Sequence, residues 1–185
     1  MSGLIYRDHF GVRWHYAQVP TERDHLDRIS ISNEQLLRLL SATGEVSTGG
    51  KELEDAGSGT SQELQKLDLK INLLLDLVST LIYRDGSIPL PSLAEVSASG
   101  VRWCPEGAPG PEPGTTVFLE VYIQRGLPKP LCWYAQVETC GLLGEREAVS
   151  ARFLGMAGPA AQALEKWLFR QHRRQVASAR SRSAS

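Results

Sequence analysis

A repeat of aliphatic residues every three or four positions constrains the fold of this chain more than any other feature. The spacing is that of a heptad held for three repeats, and its a and d positions are Leu64, Leu67, Ile71, Leu74, Val78 and Leu81. The flanking e and g positions also carry Leu75, Leu77 and Ile82, so the apolar arc is wider than the seam of a two-stranded coil. A surface of this kind does not stay exposed on a monomer in water. The pattern therefore predicts a helix over residues 61–84 that is buried either in an oligomer or against its own domain.

The composition of the chain divides it around this helix. Residues 41–60 contain five glycines, three serines and three threonines, which is typical of a flexible linker. Residues 1–40 form a separate N-terminal segment, with a weak strand signal at 12–19 where apolar and polar residues alternate. The capping-box pair Ser32 and Gln35 predicts that a short helix follows within that segment.

The second half of the chain has the pattern of an antiparallel sheet. Apolar and polar residues alternate there, between turns rich in proline and glycine, over residues 93–103, 115–124, 131–140 and 147–154. A last helix is expected near Pro159, because proline suits the first turn of a helix. We therefore expect an α+β unit over 88–175, with a small barrel or sandwich and a C-terminal helix, followed by a disordered tail at 176–185.

The charge of the chain argues against a general polyanion binder, since 20 basic and 21 acidic residues leave a net charge of -1. The distribution is uneven, because the 20 residues after Glu165 hold six basic residues and no acidic ones. Two interpretations of this basic end remain open. It is either a solvated helix terminus, whose dipole favours cations, or a site for phosphate or an acidic partner.

Several classes of protein are excluded by what the sequence lacks. The four histidines stand without a second ligand at metal spacing, and no nucleophile, phosphate loop or carboxylate pair stands out, so we expect neither an enzyme nor a metal site. Three cysteines without CxxC spacing indicate a reducing compartment. The chain has no apolar signal core, and its most apolar stretch is interrupted by Asn72, Asp76 and Ser79. The expectation is a cytoplasmic protein that does not insert into membranes.

One short motif carries a resemblance to a known family. Residues 95–100 read EVSASG and are followed by Val101-Arg102-Trp103. This resembles the [D/N]xSxxG signature of PilZ domains, the bacterial receptors for cyclic di-GMP, and the order of later segments is similar over about residues 88–175. The resemblance implies a PilZ-like antiparallel barrel, with a nucleotide-binding remnant at Glu95, Ser97, Gly100 and Arg102.

The chain departs from the typical PilZ pattern in ways that are themselves informative. Glu95 replaces the usual Asp or Asn, and the RxxxR motif that precedes the barrel in typical members is absent. Loss of such charged hydrogen bonds costs ~3–6 kcal/mol, or about two to four decades in affinity. A helix inserted before the signature is similar to the atypical PilZ branch, in which such helices form tetramers.

The resemblance thus implies a non-enzymatic adaptor of the cyclic di-GMP network that assembles through an oligomeric coiled coil, as a tetramer. On this resemblance we expect the protein to bind the nucleotide weakly or not at all, to need no cofactor, and to act on pili, motility or virulence through an unidentified signalling or pilus-related partner.

Two alternatives use other residues. A genuine receptor could recruit Arg7, Arg13 or Arg102 as substitute arginines. A nucleic-acid-binding barrel would instead need exposed stacking rings beside the basic end, and its candidates are Trp103, Trp133 and Tyr134.

Overall fold

The computed structural model describes residues 3–46, 67, 69–71, 73–74, 77–78, 80, 88–105, 109–124, 127–156 and 158–183. The elements in chain order are β1 (Ile5–Tyr16), α1 (Arg23–Val46), β2 (Ser92–Ser97), β3 (Gly100–Trp103), β4 (Thr116–Tyr122), β5 (Leu131–Leu143), β6 (Arg146–Leu154) and α2 (Gly158–Ser183). The antiparallel sheet and the C-terminal helix predicted for residues 88–175 are thereby confirmed.

The six strands form one closed barrel in the order β1-β2-β3-β6-β5-β4, and every pairing is antiparallel. The barrel closes through β1, whose residues 5–10 pair with β2 while residues 11–16 pair with β4. The sequence places this strand in a separate N-terminal segment, and this prediction is wrong, because alternation alone does not reveal the partners of a strand. The barrel therefore begins at residue 5 rather than at residue 88.

The interior of the barrel explains why the second half of the sequence alternates. Side chains at every second position of a strand point to one face, and here that face is the core. It is filled by fully buried aliphatic residues and by the large ring of Trp103. Trp133 stacks on Phe153, with their ring centroids 4.3 Å apart. Burial of these side chains, at about 1.5–3 kcal/mol each, gives the sheet its register.

The first helix is longer than its sequence signals predicted, since it begins at Arg23 and ends at Val46. The Ser32–Gln35 pair lies inside it and does not start it. Its buried stripe includes Ser30 and Asn33 between apolar positions, and those polar residues concealed the helical period. Helix α1 consequently extends over 41–46, the beginning of the expected linker, while 47–60 lies outside the described residues.

A side chain of α1 attaches this helix to the barrel. The Asn33 amide donates to the carbonyl oxygen of Cys132 at 2.7 Å and accepts from the Cys132 backbone N–H at 2.9 Å. Pairing of β5 with β6 ends at Tyr134 opposite Leu154, so Cys132 lies beyond the reach of β6. The Asn33 side chain thus takes the hydrogen-bonding place of a missing strand residue.

The last helix packs on α1 and on β1. Its face of Leu164, Trp167 and Leu168 is buried, and Arg170 donates to the Ser41 carbonyl oxygen at 3.0 Å. Helix α2 runs to Ser183, into the segment where we expected disorder. Alanine and arginine have high helix propensity, and they are frequent enough there to continue the helix.

Candidate functional site

The site predicted from the motif lies on the outer face of β2 and β3, at the turn that joins them. The Ser97 hydroxyl accepts from the backbone N–H of Gly100 at 3.1 Å and of Ser99 at 3.3 Å, and it contacts the Gly100 carbonyl at 3.1 Å. Ser97 is fully buried. The serine of the motif therefore closes its own turn.

The glycine of the motif is required by a close approach of two strands. A Cβ atom at Gly100 would lie 2.3 Å from the carbonyl oxygen of Ala151, on the neighbouring strand β6. No side chain fits at that distance unless the backbones separate. Both Ser97 and Gly100 thus have a structural role that needs no ligand.

The charged residues of the site form a ladder across three strands. Glu95 on β2 is directly opposite Arg7 on β1 and opposite Arg102 on β3. The Arg7 guanidinium donates to Glu95 Oε1 from Nε at 2.7 Å and also from Nη2. Arg102 Nη1 lies 3.8 Å from the other oxygen, Oε2. Each carboxylate oxygen of Glu95 therefore faces one guanidinium.

Burial differs strongly within this ladder. The Glu95 side chain is only 7% exposed, whereas that of Arg7 is 59% exposed and that of Arg102 is 30% exposed. Arg102 Nη2 also donates to the carbonyl oxygen of Leu142, while its Nε is buried without a hydrogen-bond partner among the described residues. The carboxylate is covered, and at least one of the two guanidiniums is open to solvent.

The structure brings the four predicted remnant residues together and adds Arg7 to them. Arg7 was among the substitute arginines considered from the sequence, but its position beside Glu95 depends on the β1–β2 register. Arg13 lies elsewhere, paired with Glu120 at 3.4 Å across β1 and β4. Arg170, which has RxxxR spacing with a second arginine of α2, binds α1 instead.

The predicted oligomerisation face is described in part. Residues 67, 69–71, 73–74, 77–78 and 80 are helical and exposed, whereas Leu64 and Leu81 lie outside the described residues. Large apolar side chains with 45–71% of their surface exposed are Leu67, Leu69, Ile71, Leu73, Leu74, Leu77 and Val78. These seven described side chains are exposed to solvent and are not buried against the barrel of their own chain.

The rings that a nucleic-acid site would need are not accessible. Trp103 has no exposed surface, and Trp133 and Tyr134 are 3% and 8% exposed. Stacking of bases requires a free ring face. These three rings are buried, and this counts against the nucleic-acid alternative.

The titratable groups with shifted pKa values are structural as well. Burial, with a smaller effect of Glu120, raises the pKa of the Cys132 thiol to about 11, so the thiol is protonated at neutral pH. Burial also raises the pKa of Tyr134, and burial together with a 2.8 Å hydrogen bond to Asp8 raises that of Tyr6. None of these shifts produces a nucleophile or a general base near pH 7.

Two absences hold for the described part of the chain. It contains no group of three histidine, cysteine or acidic side chains that could hold a metal ion. Within the same ranges, no helix has both the length and the apolar character needed to cross a membrane.

Comparisons with known proteins agree with this geometry. The model of a family described as atypical PilZ domain, cyclic di-GMP receptor, matches residues 37–181. A pathogenic protein from Xanthomonas campestris, described as a tetrameric PilZ domain self-assembled via an unusual helical bundle, has 26% identity and a TM-score of 0.66 over 94% of this chain and 90% of that chain. The Bacillus subtilis inhibitor of motility has 16% identity and a TM-score of 0.39, over 46% and 43% of the two chains, which is too low to support an argument. No curated protein sequence matches the chain.

Proposed function

This chain belongs to the atypical PilZ domain family, and on that premise we propose that it is a non-enzymatic signalling adaptor of the bacterial cyclic di-GMP network. It assembles as a tetramer through the heptad helix of residues 61–84 and displays its barrels to a partner protein. It binds cyclic di-GMP weakly or not at all.

The observation that carries the proposal is the exposed aliphatic face between Leu67 and Val78. Five of these side chains lie at a, d or g positions, and burying five side chains that are about half exposed is worth on the order of 4–8 kcal/mol per chain before ordering costs. A second copy of the same helix offers a matching surface, because the a and d positions of identical helices can pair in register. The apolar arc reaches beyond the a and d positions, which favours four helices over two. The Xanthomonas campestris relative, described as tetrameric through a helical bundle, supports the same assembly.

Charge in the seam tests this assembly. The double variant Ile71→Asp, Leu74→Asp places carboxylates at an a and a d position, where a buried unpaired ion costs several kcal/mol. We expect light scattering to show a folded monomer or an aggregate in place of the tetramer.

The same helix supplies a matched control. Leu69→Asp, Leu73→Asp introduces the same two charges at f and c positions, which point away from the seam, and this variant is expected to remain tetrameric. A wild-type monomer, or an unchanged large species in the Ile71→Asp, Leu74→Asp variant, would refute the proposal.

Weak nucleotide binding follows from the ladder at Glu95. Arg7 donates a hydrogen bond to Glu95, and Arg102 lies close to the same carboxylate, so both arginines beside the motif already face an anion of the chain itself. The hydroxyl of Ser97 is hydrogen-bonded within its own turn. A nucleotide would have to displace the buried Glu95. Calorimetric titration of the intact protein with cyclic di-GMP tests this, and a Kd of a few micromolar or tighter would reject it.

The genuine receptor is the second candidate, because Arg7 and Arg102 do lie beside the motif. It predicts micromolar binding that is lost in Arg7→Ala and unaffected in Arg13→Ala, since Arg13 lies on the β4 side of β1. Titration of these two variants separates the candidates.

The output proposed is control of pili, motility or virulence through a signalling or pilus-related protein. Affinity capture with the wild type and with the Ile71→Asp, Leu74→Asp variant tests whether a partner needs the assembled form. A set of captured proteins without any such partner would count against this output.

A further inference from the structure

The charges of the Arg7–Glu95–Arg102 ladder do not balance. Two guanidiniums face one carboxylate, so the ladder retains one positive charge. Arg102 Nε is also a buried donor without a partner in the described residues, and Arg7 is more than half exposed. Unused donors and an uncompensated cation on a pre-formed surface are what an anion site requires.

The pairing of the strands fixes the relative positions of these three residues. Neighbouring strands are about 4.8 Å apart, and residues directly opposite each other have Cβ atoms about 5 Å apart. Arg7, Glu95 and Arg102 are consecutive in such a row across β1, β2 and β3. The two guanidiniums are therefore held on either side of one central position, and Glu95 fills that position with an oxygen toward each.

We propose that Arg7 and Arg102 form a two-guanidinium anion site whose centre is occupied by Glu95, so that the chain's own carboxylate takes the place of a phosphate ester. The ligand class is a phosphate-bearing anion, either the phosphodiester of a cyclic dinucleotide or a free phosphate. This inference rests on the proposed weak binding and explains it: the recognition groups are present, and one side chain blocks them.

Neutralising the blocking carboxylate tests the inference. Glu95→Gln keeps the length of the side chain but removes the charge that holds it between the two guanidiniums, so an entering anion can displace it and pair with both cations. The full-length variant is titrated by calorimetry at fixed ionic strength with cyclic di-GMP and, separately, with inorganic pyrophosphate. We expect Glu95→Gln to bind at least one probe at least tenfold more tightly than the wild type. A gain for cyclic di-GMP alone identifies a dinucleotide site, and a gain for both probes identifies a site for phosphate in general.

The barrel offers a matched control in another cross-strand ion pair. Glu120→Gln removes the same charge from the same barrel beside Arg13, at the β1–β4 pairing. The Glu120→Gln variant should bind both probes with an affinity within threefold of that of the wild type. Adding Arg7→Ala to Glu95→Gln should abolish the gain, because one of the two guanidiniums is then lost.

The outcomes separate this inference from the proposed function. If the affinity of Glu95→Gln for both probes is within threefold of that of the wild type, the inference is overturned. An equal gain in affinity in Glu120→Gln also overturns it. Wild-type binding at a few micromolar or tighter overturns the proposed weak binding, whatever the variant does.

If melting curves show Glu95→Gln to be unfolded, Glu95→Asp is the second variant. Its carboxylate is one methylene shorter and reaches both guanidiniums less well, so a smaller gain is expected. A folded Glu95→Asp with wild-type affinity for both probes overturns the inference.

Discussion

The attachment of α1 to the barrel through Asn33 gives a sharp prediction about stability. Asn33 is 2% exposed and makes two hydrogen bonds to the backbone of Cys132, at 2.7 and 2.9 Å. Asn33→Ala removes both. Each neutral hydrogen bond is worth about 0.5–1.5 kcal/mol net, and a buried group left unpaired costs about 1–3 kcal/mol. Cys132 is only partly buried, so water satisfies its backbone in part, and we expect a total loss of about 2–4 kcal/mol in the free energy of unfolding.

Urea unfolding measures this loss, and thermal unfolding should show a Tm lower by roughly 5–15 °C for a domain of this size. Protein concentration must be held constant, because assembly adds to apparent stability. Gln35→Ala, on the exposed side of the same helix, is the control and should change the free energy by less than about 0.5 kcal/mol. Asn33→Asp keeps the acceptor but places a carboxylate against the Cys132 carbonyl oxygen, and should cost at least as much as alanine. If Asn33→Ala is as stable as Gln35→Ala, the side chain does not replace a strand residue and the reasoning fails.

Two further predictions concern single positions of the barrel. Gly100→Ala forces a Cβ atom to within 2.3 Å of the Ala151 carbonyl oxygen, so it should cost more than about 2 kcal/mol in urea unfolding. Gly158→Ala, whose Cβ meets no neighbour within 4 Å, should be neutral, and equal effects of the two would contradict the close-approach argument. At pH 8, iodoacetamide should alkylate exposed Cys140 well before Cys132, because the pKa of Cys132 is raised from 9.0 to about 11 and its thiolate fraction falls roughly a hundredfold. Below that pKa, the Cys132 rate measured by peptide mass spectrometry should rise about tenfold per pH unit, and equal rates at the two cysteines would refute the assignment.

Local patterns predict the second half of the fold well, because alternate residues of β4 and of the first part of β5 enter the core. The same patterns did not show where β1 belongs. Its partners β2 and β4 are far away in sequence, and the residue pattern of a strand does not reveal which strands pair with it. The length of α1 was missed for a different reason. Asn33 is buried and polar, and its role depends on a free backbone edge of β5 that only the assembled barrel creates.

The candidate site could be predicted where its residues are close in sequence, but not where they pair across strands. The turn at Ser97 and Gly100 was found as a motif, since its serine and glycine are close in sequence. The ladder was not, because the role of Glu95 depends on residues opposite it on two other strands. In the motif Glu95 departs from the usual Asp or Asn, whereas in the barrel it is the counter-ion of two arginines.

The way β1 closes the barrel has a consequence for how this chain can be divided. The family match begins at residue 37, after β1 and within α1. A protein trimmed to that region would lose the strand that pairs with β2 along one half and with β4 along the other. Two sheet edges would then be unpaired at once, and unpaired edges recruit strands from other molecules. Such a truncated protein should exchange strands between copies or precipitate, and binding measured with it would describe an opened sheet that lacks Arg7.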